Sequence, residues 1–170
     1  MANLVVPQPG MIGLTQIGGS VGKAIRFGQW LNGDGFTTWE HAFVLLPNNL
    51  ILEAEPGGAR IVPLHYSEVY WCTGIDKLIH PSTTLTEISH VAESLKGTPY
   101  SFLDYAALAA HRLHVPAPDL RHYIQTSGHE ICSQLADDFY YRLGAHVFVD
   151  NRWPGDVTPG DLYKRDLELR

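Results

Sequence analysis

The stretch that organises this chain is residues 128–139, GHEICSQLADDF, in which a cysteine stands where a helix should begin. From this point apolar residues recur every four positions, which predicts one buried helix face: Ile131, Leu135, Phe139 and Leu143. Gly128 and Gly144 bracket the predicted helix. A thiol in the first turn meets the positive end of the helix dipole, which favours the thiolate. Cys132 is therefore a candidate nucleophile, although free cysteine is also a common core residue.

Length and composition predict one globular domain over residues 1–170. The chain is 45% hydrophobic and 18% charged, which is too apolar for disorder. Its net charge is −6 and its 12 basic residues are scattered, so no nucleic-acid-binding surface is expected. No apolar run approaches the length of a transmembrane segment. The N-terminus lacks the features of a signal peptide, which predicts a cytoplasmic protein, or one that is virion-associated or exported by a non-classical route.

The cysteines and histidines do not form a recognisable metal or disulfide pattern. Cys72 and Cys132 are too few for a disulfide framework, although the sequence leaves a single bridge open. Cys72 lies in an apolar, β-prone run, so a core position is expected for it. His111 and His114 lie three apart on a predicted helix, where a surface position is favoured over a shared metal. No metal is predicted, because no histidine pair with a nearby acid has the spacing of a zinc site. No cofactor is predicted either, and the glycines of residues 18–23 do not match a phosphate-binding loop.

The predicted strands precede most of the predicted helices. Strands are expected at 4–6, 11–17, 41–46, 50–55, 59–62 and 69–73. Helices are expected at 20–31, 85–95 and 101–113, and then from Cys132 onward. Residues 145–149 are expected to form a short strand or an extended packing segment, and residues 153–162 are rich in turn formers.

His41 is the candidate base for Cys132. A cysteine nucleophile needs a base to take its proton, and the base needs a third group that orients it. His41 opens a strand whose remaining residues are apolar, so it should lie at the rim of a sheet beside the core. The alternative is a buried histidine with a structural hydrogen bond.

The turn at residues 47–49 decides which side chains share a sheet face with His41. A three-residue turn pairs residue 46 with 50, so that His41 opposes Glu55 and both share a face with Glu53. A two-residue turn would shift the register by one and separate the histidine from both glutamates. Each glutamate also has an alternative interpretation as a solvated strand residue.

Six segments, taken together and in order, resemble the circularly permuted branch of the NlpC-type papain-like cysteine hydrolases, the YiiX-like group. They are Pro9-Gly10-Met11-Ile12, Glu40-His41-Ala42-Phe43-Val44, Leu50-Ile51-Leu52-Glu53-Ala54-Glu55-Pro56-Gly57-Gly58, Gly97-Thr98-Pro99-Tyr100-Ser101-Phe102, Glu130-Ile131-Cys132-Ser133-Gln134-Leu135 and Thr158-Pro159-Gly160-Asp161-Leu162. In that group a histidine strand precedes the nucleophile helix, the reverse of the order in papain. Met11 replaces the usual acid of the first segment, and Ser101 stands where the family often has Asp.

The resemblance implies an α+β, papain-like fold in which an antiparallel sheet packs against helices and the nucleophile lies at a helix N-terminus. It implies Cys132 as the nucleophile, His41 as the base and Glu53 as the partner that orients His41. Glu53 is preferred over Glu55 because its spacing from His41 suits the family. Tyr100 would line the cleft and help to hold the oxyanion beside the backbone N–H of Cys132.

The implied activity is that of a cysteine peptidase or amidase that transfers the acyl group of an amide or ester to water. Substrates across the superfamily include peptides, peptidoglycan stem peptides and lipid esters. One alternative is an acyltransferase of the lecithin:retinol type, which uses another acceptor than water. The other is a non-catalytic structural or binding module, for example in a phage tail, with a blocked cleft or a Cys132–His41 separation too long for proton transfer.

Overall fold

The computed structural model describes residues 5–17, 38–55, 57–99, 131–150 and 157–170. Within these ranges the fold is α+β, with a five-stranded antiparallel sheet and three helices. The strands are β1 (Ile12–Thr15), β2 (His41–Leu46), β3 (Leu50–Glu55), β4 (Gly58–Pro63) and β5 (Tyr70–Trp71). The helices are α1 (Leu85–Leu95), α2 (Cys132–Arg142) and α3 (Pro159–Leu169). The strand order across the sheet is β4-β3-β2-β1-β5.

The β2–β3 hairpin has the register that a three-residue turn predicts. Asn48 and Asn49 have φ angles of 61° and 57°, in the left-handed region that asparagine tolerates better than most residues. Leu46 then pairs with Leu50, and further from the turn Phe43 pairs with Glu53. Of the two registers that the sequence left open, the structure has the one that puts residues 41 and 53 on the same face of the sheet.

The two faces of the sheet are covered by different parts of the chain. On one face, Ala42, Val44 and Leu52 belong to the main core, together with Leu135 and Phe139 of α2. The opposite face carries a smaller apolar cluster, which is formed by Phe43, Leu45 and Ile51 with Val62, Leu64, Tyr66, Val69 and Trp71 packed against it. His41 alternates with Ala42 and so points to the side of the smaller cluster. Because His41 is the first residue of β2, it lies at the end of the sheet, where a residue at a helix start can reach it.

Gly13 on β1 makes room for the aromatic part of the smaller cluster. It pairs with Phe43 on β2, and a Cβ atom at position 13 would collide with the Phe43 ring. The ring can therefore lie over β1, where it stacks on Tyr66 with a centroid distance of 5.2 Å. The edge of Phe43 also meets Trp71 at 5.7 Å. This aromatic layer borders the His41 side chain.

Several predicted elements are shorter than expected. Val5 and Val6 are not in a strand, and β1 covers only four of the residues expected at 11–17. β5 is a two-residue strand that ends just before Cys72. Residues 145–149 form no strand but an irregular segment with a bend at Val147, from which Ala145 and Val147 pack into the main core. The predicted helices at 20–31 and 101–113 lie outside the described residues.

Helix α3 was missed by the sequence interpretation, which assigned its first turn to a turn-rich segment. The Thr158 hydroxyl accepts the Asp161 backbone N–H at 3.0 Å, and Asp161 Oδ2 accepts the Thr158 backbone N–H at 3.0 Å. This is a capping box with a proline at the first helical position. Pro159 therefore starts a helix here. No helix in the described ranges is long and apolar enough to cross a membrane.

Candidate active site

Helix α2 begins at Cys132 itself, and its first turn is fixed on two sides. Ile131 is the N-cap residue, and its backbone N–H donates to Oε1 of Gln134 at 3.0 Å. The Ser133 hydroxyl donates to the carbonyl oxygen of Val157 at 2.7 Å, which ties the helix start to the segment before α3. The buried face that begins with Ile131 anchors the rest of α2 in the main core. The Cys132 thiol is thus held at the positive end of a rigid helix.

His41 connects Cys132 to Glu53. The His41 Nε2 atom lies 3.1 Å from Glu53 Oε2, and the imidazole also forms a hydrogen bond with the Cys132 side chain. Because Nε2 faces Glu53, Nδ1 is the ring nitrogen left for the thiol. The relative exposures of Cys132, His41 and Glu53 are 2%, 3% and 0%. A thiol, an imidazole and a carboxylate therefore form one continuous buried chain of hydrogen bonds.

The Glu53 carboxylate accepts four hydrogen bonds from three residues. Oε1 accepts from Nε and Nη2 of Arg60, at 2.9 and 2.8 Å. Oε2 accepts the Tyr66 hydroxyl at 2.7 Å in addition to His41. These four bonds match the capacity of an ionised carboxylate, so both oxygens are held in fixed positions.

The charges in this chain stabilise one another. Burial by itself would lower the pKa of His41, but the negative charge of a Cys132 thiolate and the hydrogen bonds to Cys132 and Glu53 raise it to about 9. Burial likewise opposes ionisation of Glu53, but the hydrogen bonds from His41, Tyr66 and Arg60 lower its pKa to about 2. Burial and the hydrogen bond to Glu53 raise the pKa of Tyr66, so its hydroxyl stays a donor. At neutral pH the arrangement supports an imidazolium between two anions.

The structure separates the two glutamates that the sequence left as alternatives. Glu53 faces His41, whereas Glu55 Oε2 lies 2.7 Å from Arg60 Nη2. The Glu55 side chain is 34% exposed, in contrast to the fully buried Glu53. Of the two, Glu53 is thus in position to orient the imidazole, and Glu55 contacts the same guanidinium from the solvent side.

Arg60 and Tyr66 are site residues that sequence reasoning missed. Arg60 is the direct cross-strand partner of Glu53 in the β3–β4 register. Opposite charges at paired positions of adjacent strands are a sequence signal, and the break at Pro-Gly-Gly in the sequence after Glu55 could have located this pair. Tyr66 lies in the irregular segment after β4, with its ring centroid 5.6 Å from that of His41. No periodicity marks such a position, so only the fold reveals it.

The remaining candidate residues lie either outside the described residues or away from the Cys132 site. Tyr100, His111 and His114 lie outside the described residues. Cys72 and Cys132 are not joined in a disulfide, and Cys72 is fully buried in the main core, as expected. Among the described residues, no group of three or more His, Cys, Asp or Glu side chains is arranged to hold a metal ion.

Comparison with known proteins adds no family assignment to this geometry. No protein-family model matches the chain, and no curated protein is significantly similar to it. Any functional conclusion therefore has to follow from the arrangement of Cys132, His41 and Glu53 and from the order in which they occur in the chain.

Proposed function

We propose that the chain is a circularly permuted, NlpC-type papain-like cysteine hydrolase that cleaves an amide or ester through a thioester on Cys132. The observation that carries this proposal is the continuous hydrogen-bonded chain from Cys132 through His41 to Glu53. The order of elements also supports it, because the strand that bears His41 precedes the helix that bears Cys132. A thiolate at a helix N-terminus beside an oriented imidazole is the arrangement that thiol-based acyl transfer requires.

In the first half-reaction, Cys132 Sγ attacks the carbonyl carbon of the substrate, and the carbonyl π electrons move to the oxygen. The tetrahedral intermediate then re-forms the carbonyl and breaks the bond to the leaving group. The His41 imidazolium gives its proton to the departing amine or alkoxide. The products of this step are a thioester on Cys132 and a neutral imidazole.

In the second half-reaction, water attacks the thioester carbon while neutral His41 takes a proton from the water. Collapse of this intermediate expels the Cys132 thiolate and releases a carboxylic acid, which restores the thiolate–imidazolium pair. Proton transfer by a positioned side chain contributes about 10²–10⁴ in rate. Glu53 holds the His41 ring so that one nitrogen serves Cys132 throughout the cycle.

The proposed substrates are peptides, peptidoglycan stem peptides and lipid esters, all of which present an acyl carbon to a thiolate. An acyltransferase of the lecithin:retinol type would share the first half-reaction and differ only in the acceptor. A test of substrate must therefore include acceptors other than water.

A non-catalytic binding module is the second candidate function, and the burial of the site favours it. Cys132 and His41 are 2% and 3% exposed, so a substrate carbonyl reaches Sγ only if neighbouring groups move. The hydrogen bond between Cys132 and His41 argues against only one form of this alternative, the form in which the two side chains lie too far apart for proton transfer.

The deciding experiment incubates the full chain with muropeptides, unrelated peptides and lipid esters, with and without added alcohol or amine acceptors. Mass spectrometry then detects cleaved products and an acyl adduct on Cys132. We expect cleavage by the parent and none by Cys132→Ala or His41→Ala. The binding module is favoured if the parent cleaves no substrate and neither iodoacetamide nor a peptidyl epoxide labels Cys132.

A further inference from the structure

The candidate site contains two anions that contact one buried imidazolium. Cys132 as a thiolate and ionised Glu53 both form hydrogen bonds with His41. Each of the three side chains is almost completely removed from water. A single positive charge cannot neutralise both anions, and an uncompensated charge at low dielectric is costly. The thiolate therefore requires a second cation that compensates Glu53.

Arg60 supplies that second cation. Its Nε and Nη2 atoms bind Glu53 Oε1 at 2.9 and 2.8 Å, which is a two-pronged pairing, while His41 binds the other oxygen. The Arg60 side chain is 46% exposed, so its own charge is partly solvated and inexpensive to place there. Glu55 also binds Arg60, but its exposed carboxylate is screened by water.

We propose that Arg60 is a positioning residue that neutralises Glu53 and so leaves the His41 imidazolium free to stabilise the Cys132 thiolate. The inference rests on the proposed function, because it assigns Arg60 a part in activating the same thiol. In a purely structural ion pair, Arg60 would only hold Glu53 in place. In the proposed role, this half-exposed arginine also affects the ionisation of the buried Cys132 thiol.

Four other ionisable groups of the described residues near the site form hydrogen bonds of their own. Tyr66 donates its hydroxyl to Glu53 and stays protonated. Glu40, next to His41, accepts the backbone N–H of Ile17 through Oε2 at 2.9 Å. His65 has its Nδ1 atom 3.1 Å from the carbonyl oxygen of Pro63. On α3, Asp161 caps its own helix. The variants below leave all of these groups in place.

The charge balance predicts opposite effects for two substitutions in the same ion pair. In Arg60→Met, Glu53 and Cys132 compete for His41, so Cys132 should hold its proton up to a higher pH. In Glu53→Gln, Cys132 is the single buried anion that faces His41, and Glu55 still pairs with Arg60 at the surface, so the thiolate should persist to a lower pH. If the ion pair only held His41 in place, both substitutions would weaken the thiolate. The double variant, which is charge-balanced again, should lie near the parent.

The experiment measures the rate constant for alkylation of Cys132 by iodoacetamide between pH 4 and 10, with peptide mapping to separate Cys132 from Cys72. The set comprises the parent, Arg60→Met, Arg60→Lys, Glu53→Gln and Glu53→Gln/Arg60→Met. We expect Arg60→Met to move the acid limb of the alkylation pH profile upward by about one pH unit. The alkylation rate constant below the midpoint of that profile is then about tenfold lower. Glu53→Gln should move the acid limb downward. Arg60→Lys, which keeps the charge, should stay close to the parent.

The inference is wrong if the Arg60→Met and parent profiles coincide, or if Glu53→Gln shifts the acid limb upward as well. The comparison of Glu53→Gln with Arg60→Lys gives the same decision without Arg60→Met, should that variant fold poorly. Failure of the proposed function looks different. In that case the parent itself titrates like an ordinary thiol near pH 8.5, which overturns both proposals.

Discussion

Two clusters in the described part of the molecule are built from similar types of residue, each around a buried thiol and a buried carboxylate. The Cys132 cluster comprises Cys132, His41, Glu53, Arg60 and Tyr66, and the Cys72 cluster comprises Cys72, Tyr70, Asp166 and Arg170. In the second cluster the Tyr70 hydroxyl and Arg170 Nε donate to Asp166 Oδ2, at 2.8 and 3.0 Å. Each cluster thus combines a thiol with a fully buried carboxylate that binds a tyrosine and an arginine.

The clusters differ in the groups that donate the remaining hydrogen bonds to each carboxylate. Asp166 Oδ1 accepts the backbone N–H groups of Gly74 and Ile75, at 2.6 and 3.1 Å, which ties α3 to the turn after β5. In the Cys132 cluster a histidine takes the equivalent place and passes the interaction on to the thiol. Burial and the charge of Asp166 raise the pKa of Cys72 well above its usual value. Burial and a nearby carboxylate together thus disfavour the Cys72 thiolate, whereas His41 lies between the carboxylate and the thiol in the Cys132 cluster.

The largest difference between the clusters should appear when each thiol is removed. We expect Cys132→Ala to lower kcat/KM by about 10⁴-fold or more, because no other group takes the place of the nucleophile. Cys72→Ala should keep the parent kcat and lose about 1–2 kcal/mol of stability, because it leaves a small space in the core. The measurements are substrate cleavage and urea unfolding of both variants.

The comparison breaks if Cys72→Ala abolishes cleavage while its unfolding curve stays at the parent position. That result would make Cys72 part of the catalytic machinery. If instead Cys132→Ala cleaves as fast as the parent, the Cys132 cluster has no catalytic role.

Replacing each buried carboxylate by its amide is the next sharpest comparison. Asp166→Asn and Glu53→Gln both place an NH₂ group against hydrogen-bond donors, so each should cost about 3 kcal/mol of stability. Only Glu53→Gln should also lower kcat, by about 10²-fold, because it disturbs the orientation of His41. Unfolding free energies and kcat measured on the same preparations test this. Equal losses of kcat in the two variants would reduce Glu53 to a structural role.

The sequence was sufficient to predict the elements that depend on local patterns of residues. The recurrence of apolar residues every four positions after Cys132 predicted α2 and its start. The sequence left the hairpin register open between a three-residue and a two-residue turn, and the structure has the three-residue turn, which brings Glu53 onto the face of His41. Both features depend on contacts only a few residues apart in the chain. The α+β class followed from the same local signals.

What the sequence did not reveal are the partners that lie far apart in the chain or in irregular segments. Tyr66 reaches Glu53 from a segment with no periodicity, and Asp166 meets Gly74 across 92 residues. The start of α3 was misassigned although Thr158 and Asp161 form a capping box, because the prolines and glycines around them favour turns. Side-chain capping outweighed that local preference.

The Cys132 cluster should also make stability depend on acid. The pKa of Glu53 is about 2 in the folded protein and 4.5 without its partners. The folded state therefore resists protonation of Glu53, and the stabilisation is fully present above pH 4.5 and lost as the pH falls through about 2. The shift corresponds to about 3 kcal/mol. The unfolding free energy of the parent should fall between pH 5 and pH 2. In Glu53→Gln this fall should be smaller by about the same 3 kcal/mol. Parallel curves for the two proteins would contradict it.

The smallest expected effect concerns the alkaline limb of the pH–rate profile. It separates attack by the Cys132 thiolate from proton donation by the His41 imidazolium. His41 carries its proton below a pKa of about 9, and this proton is the one that the leaving group needs. Amide cleavage should therefore fall about tenfold per pH unit above pH 9. Alkylation of Cys132 needs only the thiolate and should not fall over the same range.

An activated ester is the matched control for this last prediction, because its leaving group departs without a proton and its acylation should follow the alkylation profile. Pre-steady-state acylation rates with an amide and an ester between pH 7 and 10.5 provide the measurement. If amide and ester decline together above pH 9, the loss reflects unfolding or the thiol itself, and His41 is not the acid. If only the amide declines, the histidine is what distinguishes the Cys132 cluster from the Cys72 cluster in chemistry as well as in structure.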